Sequence, residues 1–197
     1  MRKIIVLLLT AMVAVSASAQ IKSKLDRLDN IFKPSADKVT FAGDITALKG
    51  MASMQVVEDL SKITISGLDI DHWLKFRQAE QPDYNAKNEW ENELRPSFRA
   101  VFVPFANEAL IKVPFVLSED IQTDTILVME PHEVNRNGDC NIVCYVRRKG
   151  STDNLVTFYI QSRGGVFGSM SNLWGDGLKS AGKRFGKFLV NKLKELK

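Results

Sequence analysis

Cysteine and histidine are both scarce in this chain of 197 residues, which contains two of each. So few cysteines cannot build a disulfide-rich scaffold, and a zinc site would need more ligands than the chain offers near them. Glycine and proline, with 12 and 6 copies, occur at ordinary frequencies, which excludes collagen-like and low-complexity proteins. The hydrophobic content of 45% is too high for a disordered chain. The composition therefore predicts one globular domain, with room for a processing segment or a tail.

The N-terminus carries the most specific signal in the sequence. Arg2 and Lys3 precede the apolar run from Ile4 to Val15, and an Ala-x-Ala sequence then ends at Ala19. This is the pattern of a secretory signal peptide, and the apolar run is shorter than the roughly 20 residues that span a bilayer. We expect residues 1–19 to be removed by cleavage after Ala19, which leaves a periplasmic or secreted protein. A true N-terminal anchor is the alternative.

The positive charge of the chain is concentrated at its two ends. Without the signal peptide the formal net charge falls from +4 to +2, and residues 179–197 carry +6 while residues 20–178 carry −4. The body of the protein is therefore mildly acidic. Overall basicity gives no reason to predict a nucleic-acid partner.

The spacing of apolar residues predicts the order of the secondary-structure elements. Residues 20–38 are expected to form a short amphipathic helix and a linker, with a flexible joint at 35–38, ahead of one domain at 39–197. The elements predicted within that domain are a strand at 54–65 in one or two pieces, helices at 69–80 and 90–105, strands at 113–117, 125–134, 141–148 and 155–161, and a helix from Leu178. Pro96 would either kink the second helix or lie in the first turn of a restarted one.

The predicted fold class is α+β, or mixed α/β, in a single domain with one sheet. An Asn137-Gly138 turn with positive φ angles and a polar turn at 149–154 would join the last three strands into an antiparallel meander. Two helices would lie between the first and second strands, and an amphipathic C-terminal helix would pack on the sheet. Gly182 and Gly186 in that helix weaken it unless they allow a close approach of another backbone.

The residues that could take part in catalysis or metal binding are better explained by structural roles. His72 and His132 are the two candidate bases, and neither lies in a nucleophile motif such as G-x-S-x-G. Glu130 with His132 could begin a metal site, but two ligands do not define one, and Pro131 between them suggests an exposed strand end or a bulge. We therefore predict no catalytic residue, no metal site and no cofactor. A hydrolase that uses His72 or His132 is kept as an alternative.

Two further groups favour structural roles as well. Asp69 and Asp71 suit the N-terminus of a helix, with Ser66 and Asp69 resembling a capping pair, and the glutamates at 89, 91 and 93 suit a solvated helix face. If Cys140 and Cys144 share a strand, their four-residue spacing puts about 13 Å between their Cα atoms, whereas a disulfide needs less than about 7 Å. Cys144 is interpreted as a small buried apolar residue.

Two segments near the C-terminus are candidates for binding. A glycine-rich loop is predicted at 164–177, and it lacks the motifs of a nucleotide-binding loop. Its large apolar side chains would mark an interaction surface if exposed and ordinary core if buried; they are Phe167, Met170, Leu173 and Trp174. In the final helix Lys179, Lys183 and Lys187 form a line at i, i+4 spacing that suits an anionic membrane surface. The preferred alternative is a helix packed on the sheet with these lysines facing water.

A resemblance to known proteins covers most of the exported part of the chain. It rests on the run from Thr125 to Leu196, with S-R-G-G at 162–165 and G-L-K-S-A-G-K at 177–183, and on F-A-G-D at 41–44 and L-K-G at 48–50. These segments look like small uncharacterised exported proteins of Bacteroidota, a family that implies no activity. The meander followed by a glycine-containing helix is also similar to the α/β domain of the curli secretion lipoprotein and its relatives. The lipoprotein cysteine and a pore-forming insertion are missing, so no channel function is carried over.

Together these observations predict an exported cell-envelope protein that acts as a non-catalytic binding or assembly module. Its partner would be a protein or another envelope component, bound through the glycine-rich loop and the neighbouring sheet. Peripheral binding to an anionic membrane surface through the basic C-terminal helix is the second hypothesis. The oligomeric state is left open by the sequence.

Overall fold

The computed structural model describes residues 37–196 and places seven strands of that part in one sheet. The strands are β1 (Lys38–Gly43), β2 (Ser53–Glu58), β3 (Thr64–Ile65), β4 (Val116–Ser118), β5 (Thr125–Val134), β6 (Cys140–Arg148) and β7 (Asn154–Ser162). The helices are α1 (Ile70–Glu80), α2 (Ala86–Glu89), α3 (Arg95–Leu110) and α4 (Met170–Glu195), with a 3-10 helix at Ile45–Leu48. The predicted single-domain α+β fold with a C-terminal helix is confirmed. The predicted signal peptide and the predicted helix after it lie outside the described residues.

The sheet is mixed, with an antiparallel half and a parallel half. Its strand order is β1-β7-β6-β5-β2-β4, and β3 also pairs with β5. The predicted meander of β5, β6 and β7 is antiparallel, and β1 extends it on the outer side of β7. The pairs β2–β4, β2–β5 and β3–β5 are parallel. Parallel pairs need a long crossover, which the helices between β3 and β4 supply.

The main error in the predicted order concerns the first strand. No strand is predicted there from the sequence: residues 38–41 alternate between polar and apolar, but only over four positions, and four of the six residues of β1 are exposed. It begins at Lys38, inside the segment predicted as a flexible joint. The two predicted helices therefore lie between the third and fourth strands. The predicted strand at 113–117 is shorter and later, at Val116–Ser118.

The long helical segment after Pro82 shows how the chain accommodates Pro96. Helix α2 runs into a single π-helical stretch, Trp90–Leu94, and α3 then starts with Pro96 in its first turn. An α-helix tolerates proline in its first turn, because the N–H groups there have no partner within the helix. Pro96 therefore lies in the first turn of α3, as one of the two alternatives predicts, but the helical backbone runs on from α2 without a break. Helix α3 continues through Pro104 to Leu110.

Helices α3 and α4 form the layer that covers one face of the sheet. Aromatic rings join the layers: Phe102 stacks on Phe185 at 5.7 Å between ring centroids, and Phe185 contacts Phe158 of β7 at 5.2 Å. These three side chains are fully buried. The predicted apolar stripe of the last helix is therefore part of the core.

Two glycines of α4 lie directly against the backbone of α3. A Cβ atom at Gly182 would lie 2.4 Å from the carbonyl oxygen of Phe102, and one at Gly186 would lie 2.2 Å from that of Ala106. Real Cβ atoms do not approach so closely, so any side chain would push the helices apart. The predicted close approach is confirmed, and its partner is a helix.

A buried ion-pair network corrects the prediction that Glu89 belongs to a solvated helix face. Glu89 is 4% exposed, and its carboxylate accepts a hydrogen bond from Nε of Arg77 at 3.2 Å. Arg77 also donates to Glu80 at 3.0 Å. A guanidinium nitrogen of Arg136, in the turn after β5, lies 3.3 Å from Glu80. The network ties α1 to α2 and to the β5–β6 turn.

Candidate functional site

The predicted glycine-rich loop is shorter in the structure than in the sequence interpretation. Helix α4 begins at Met170, so the loop that joins β7 to α4 covers residues 163–169; we call it the contact loop. Ser169 caps the helix by accepting a hydrogen bond from the backbone N–H of Asn172 at 3.3 Å. The glycines at 175 and 177, which suggested a loop, lie inside the helix.

The contact loop carries two of the three most exposed large apolar side chains of the described residues. Phe167 is 88% exposed and Val166 is 82% exposed. Adjacent exposed apolar side chains of this size are costly to hydrate, and they commonly mark a surface that contacts another molecule. Phe167 is therefore exposed, as an interaction surface in this loop requires.

The other aromatic residue of the predicted site belongs to the core. Trp174 is fully buried, contacts the ring of Phe98 at 5.7 Å and donates a hydrogen bond from Nε1 to the carbonyl of Asn135 at 3.0 Å. Its ring cannot reach a partner without unfolding the N-terminal part of α4. Met170 is half-buried and packs against the core beside the contact loop. A binding role for Phe167 and Met170 stays a prediction.

The base of the contact loop is fixed by backbone packing. Cβ atoms at Gly164 and Gly177 would lie 1.8 and 2.0 Å from the carbonyl oxygens of Asn137 and Gly138 respectively, in the β5–β6 turn. The N–H of Gly164 also donates to the carboxylate of Asp139 at 2.9 Å. Only glycine permits this approach. Val166 and Phe167, the apolar tip of the contact loop, therefore follow a base whose backbone is closely packed against the β5–β6 turn.

The β5–β6 turn itself differs in detail from the predicted one. Gly138 has a φ of +81°, whereas Asn137 does not have a positive φ. The loop instead closes through Asn135, whose side chain accepts a hydrogen bond from the N–H of Asn137 at 3.0 Å.

The lysines of the predicted membrane-binding line lie on the solvent side of α4. Nζ of both Lys179 and Lys183 lies 5.0 Å from the centroid of the Phe105 ring, and Lys183 is also 3.6 Å from a carboxylate oxygen of Glu108. Lys187 is exposed. The preferred alternative, a packed helix with its lysines facing water, is what the structure shows. An amphipathic helix inserted in a bilayer through its apolar stripe is excluded by the burial of that stripe.

A cluster of polar side chains surrounds Glu130 on the opposite face of the sheet from Phe158. The register shifts after Pro131, which leaves His132 as a bulge residue in a central strand. Its Nε2 atom lies 2.5 Å from Oε1 of Glu130, and the same oxygen accepts hydrogen bonds from Tyr145 at 3.0 Å and Lys62 at 3.2 Å. Glu130 is 3% exposed. The predicted bulge is confirmed, whereas the exposed strand end is wrong.

The environment of Glu130 keeps its carboxylate charged. Burial acts to raise the pKa of Glu130, but the hydrogen bonds from His132, Lys62 and Tyr145 outweigh it and lower the pKa below its ordinary value. Burial and the bond to this carboxylate raise the pKa of Tyr145 to about 12. The carboxylate of Glu130 therefore joins β5 and β6 to the turn before β3, which carries Lys62.

The charged state of Glu130 makes the stability of the fold depend on pH. A lowered pKa in the folded state adds stability above the ordinary pKa of 4.5, and this stability is lost as the pH falls through the lowered value. We expect Glu130→Gln to reduce the free energy of unfolding at pH 7 and to flatten its decline below about pH 5. Urea unfolding at several pH values measures both. Glu91→Gln on the exposed surface of the π-helical stretch is the matched control, and equal slopes for both variants would contradict the assignment.

Both cysteines are free and fully buried. Burial, with a smaller contribution from Asp139, raises the pKa of the Cys140 thiol to about 12, and burial raises that of Cys144 further. A thiol with so high a pKa is a poor nucleophile at neutral pH. The interpretation of Cys144 as a small apolar core residue is confirmed.

Comparison with known proteins shows neither a family nor a function for this chain. No family model matches the chain, and no curated protein matches it. Among solved structures, the PelC dodecamer from Paraburkholderia phytofirmans is similar to this chain with a TM-score of 0.38 and 9% sequence identity, over 76% of this chain and 96% of that one. So weak a likeness carries no functional inference. Within residues 37–196, no helix has the length and hydrophobicity that crossing a membrane requires.

Proposed function

We propose that this protein is an exported, non-catalytic binding module of the cell envelope, and that the contact loop is its main contact with a partner. The exposure of Phe167 and Val166 on a closely packed base is the observation that carries the proposal. A partner gains apolar burial at both side chains, while the fixed base limits the entropy that is lost on binding. A protein pocket that desolvates an aromatic ring is the kind of surface that fits best.

The export part of the proposal rests on the signal-peptide pattern that ends at Ala19, together with the resemblance to exported proteins of Bacteroidota. Cleavage there would place the mature chain in the periplasm or outside the cell.

Binding is favoured over hydrolysis by the surroundings of the two histidines. In the described part of the chain, the hydrogen bonds of both imidazole rings go to carboxylates: His72 to Asp69, which caps α1, and His132 to Glu130. A hydrolase of the serine or cysteine type needs a hydroxyl or thiol beside its base. The buried thiols of Cys140 and Cys144 are not placed to act as such a nucleophile.

The proposal predicts that the side chain of Phe167 is needed for binding but contributes little to the stability of the fold. Phe167→Asp should abolish capture of the partner from detergent-solubilised cell envelopes, because it puts a charge into an apolar contact. It should change the free energy of unfolding by less than about 0.5 kcal/mol, since the side chain is already in water. Quantitative mass spectrometry of the captured material, beside a urea melt of each variant, measures both effects.

Thr152→Asp provides the matched control, because Thr152 is exposed in the β6–β7 turn and receives the same charge. A component that is retained by the wild type and by this control, but lost with Phe167→Asp, supports the proposal. Identical captured material from all three proteins would overturn it.

A further inference from the structure

A second surface, distinct from the contact loop, is formed where the end of α3 meets the C-terminal half of α4. Four lysines and one glutamate line a concave site of about 460 Å³ there, together with Val190 and other residues. The charged residues are Glu108, Lys112, Lys183, Lys187 and Lys194. We call this surface the lysine patch.

The lysine patch has an excess of positive charge that the protein does not neutralise. Within the described part of the chain, the ion pairs of these lysines are limited to that between Lys183 and Glu108. Lys112, Lys187 and Lys194 are exposed to solvent. Two other cations of α4 are paired within the protein, since Arg184 pairs with Asp37 and Lys192 pairs with Glu195, whereas Lys179 is exposed and contacts the ring of Phe105. Three exposed lysines therefore gather their charge at this surface.

An exposed aliphatic side chain lies next to the patch in sequence. Ile111 follows the last residue of α3, is 83% exposed and directly precedes Lys112. An aliphatic side chain beside uncompensated lysines matches the chemistry of a bilayer surface, where anionic headgroups lie above hydrocarbon. An acidic protein surface would satisfy the lysines but leave Ile111 unexplained.

We propose that the lysine patch binds peripherally to membranes that contain anionic phospholipids, with Ile111 entering the interface. This differs from insertion of α4 as an amphipathic helix, because the apolar stripe of α4 stays in the core. Attraction of this kind contributes about fivefold in affinity per lysine near the surface. Three free lysines therefore contribute about a hundredfold, and salt screens the effect.

Vesicle flotation with the mature chain tests this directly. Binding is expected to vesicles that contain phosphatidylglycerol at low salt, to fall steeply in 0.5 M salt (roughly a 4 Å screening length), and to be absent with phosphatidylcholine alone. The variant Lys112→Glu/Lys187→Glu/Lys194→Glu should lose at least a hundredfold in partitioning. Ile111→Ser should weaken binding by a smaller factor that persists at high salt, because its contribution is apolar.

The matched control changes the same net charge at exposed lysines of α1, α2 and the β6–β7 turn, as Lys75→Glu/Lys87→Glu/Lys149→Glu. Retained binding by this control supports a localised patch. Equal loss in both triple variants would show a nonspecific charge effect and overturn the proposal, as would failure of the wild type to float with anionic vesicles. Circular dichroism and a urea melt verify that each variant is folded. Phe167→Asp should float normally, so this result and that for the contact loop are independent.

Discussion

Gly186→Val is expected to lower the free energy of unfolding by about 3 kcal/mol or more, or to prevent folding. The reason is steric: the first carbon of any side chain at this position would lie 2.2 Å from a backbone oxygen of Ala106 and 2.9 Å from Cβ of Ala109. A backbone atom in the middle of α3 cannot move away as a flexible side chain can. Relief requires α3 and α4 to separate, which opens gaps around Phe102 and Phe185. Thermal or urea unfolding measures the loss.

Gly175→Ala in the same helix is the matched control. A Cβ atom there would meet no other atom within 4 Å. Alanine should therefore raise the free energy of unfolding by about 0.5–1 kcal/mol, through its better helix propensity and the smaller entropy of the unfolded chain. The change in the free energy of unfolding must therefore be negative for Gly186→Val and positive for Gly175→Ala. A variant with valine at position 186 that is as stable as the wild type would disprove the tight helix contact.

Arg77→Met is expected to lower the free energy of unfolding by about 3–5 kcal/mol. Arg77 is 15% exposed at its side chain and donates to both Glu80 and Glu89. Methionine retains the apolar stem but leaves the carboxylate of Glu89, 5% exposed at its side chain, without its cation. A buried charge that loses its partner is far more costly than the original pair is favourable. Urea unfolding at neutral pH gives the difference.

The double variant Arg77→Met/Glu89→Leu distinguishes a buried ion pair from simple loss of packing. Removing both charges should restore most of the lost stability, because no unpaired charge remains. If instead the two losses add, the pair does not couple α1 to α2 electrostatically.

The sequence predicts the meander and the packed C-terminal helix well because both have a clear period. In β7, Val156, Phe158 and Ile160 alternate with polar residues, and the stripe of α4 repeats every three or four positions. In β1 the alternation is short, since only Val39 and Phe41 alternate with the polar residues Lys38 and Thr40. β1 is an edge strand held by its backbone pairing with β7, and backbone hydrogen bonds leave little trace in side-chain pattern. The strand therefore forms because of its pairing with β7, which its side-chain pattern alone does not predict.

For the candidate site, sequence reasoning identified the segment but not its end points. Gly175 and Gly177 suggested a loop, yet tertiary packing supports helix there, since Gly177 lies against the β5–β6 turn. The burial of Trp174 depends on that helix and could not be predicted from local pattern. Glu130 was interpreted as part of an exposed strand end, because the donors Lys62 and Tyr145 come from distant segments. The lysine patch likewise needs Lys112 of the segment after α3, which is far from α4 in sequence.

The central claim, that the contact loop binds a partner in the cell envelope, is tested most directly by site-specific photo-crosslinking in living cells. A photoreactive phenylalanine analogue at position 167 should give one discrete adduct of higher mass with an envelope component. The same analogue at position 152, equally accessible in the β6–β7 turn, should give none. An adduct confined to position 167 is the predicted result. No adduct at position 167, or the same adducts from both positions, would contradict the claim.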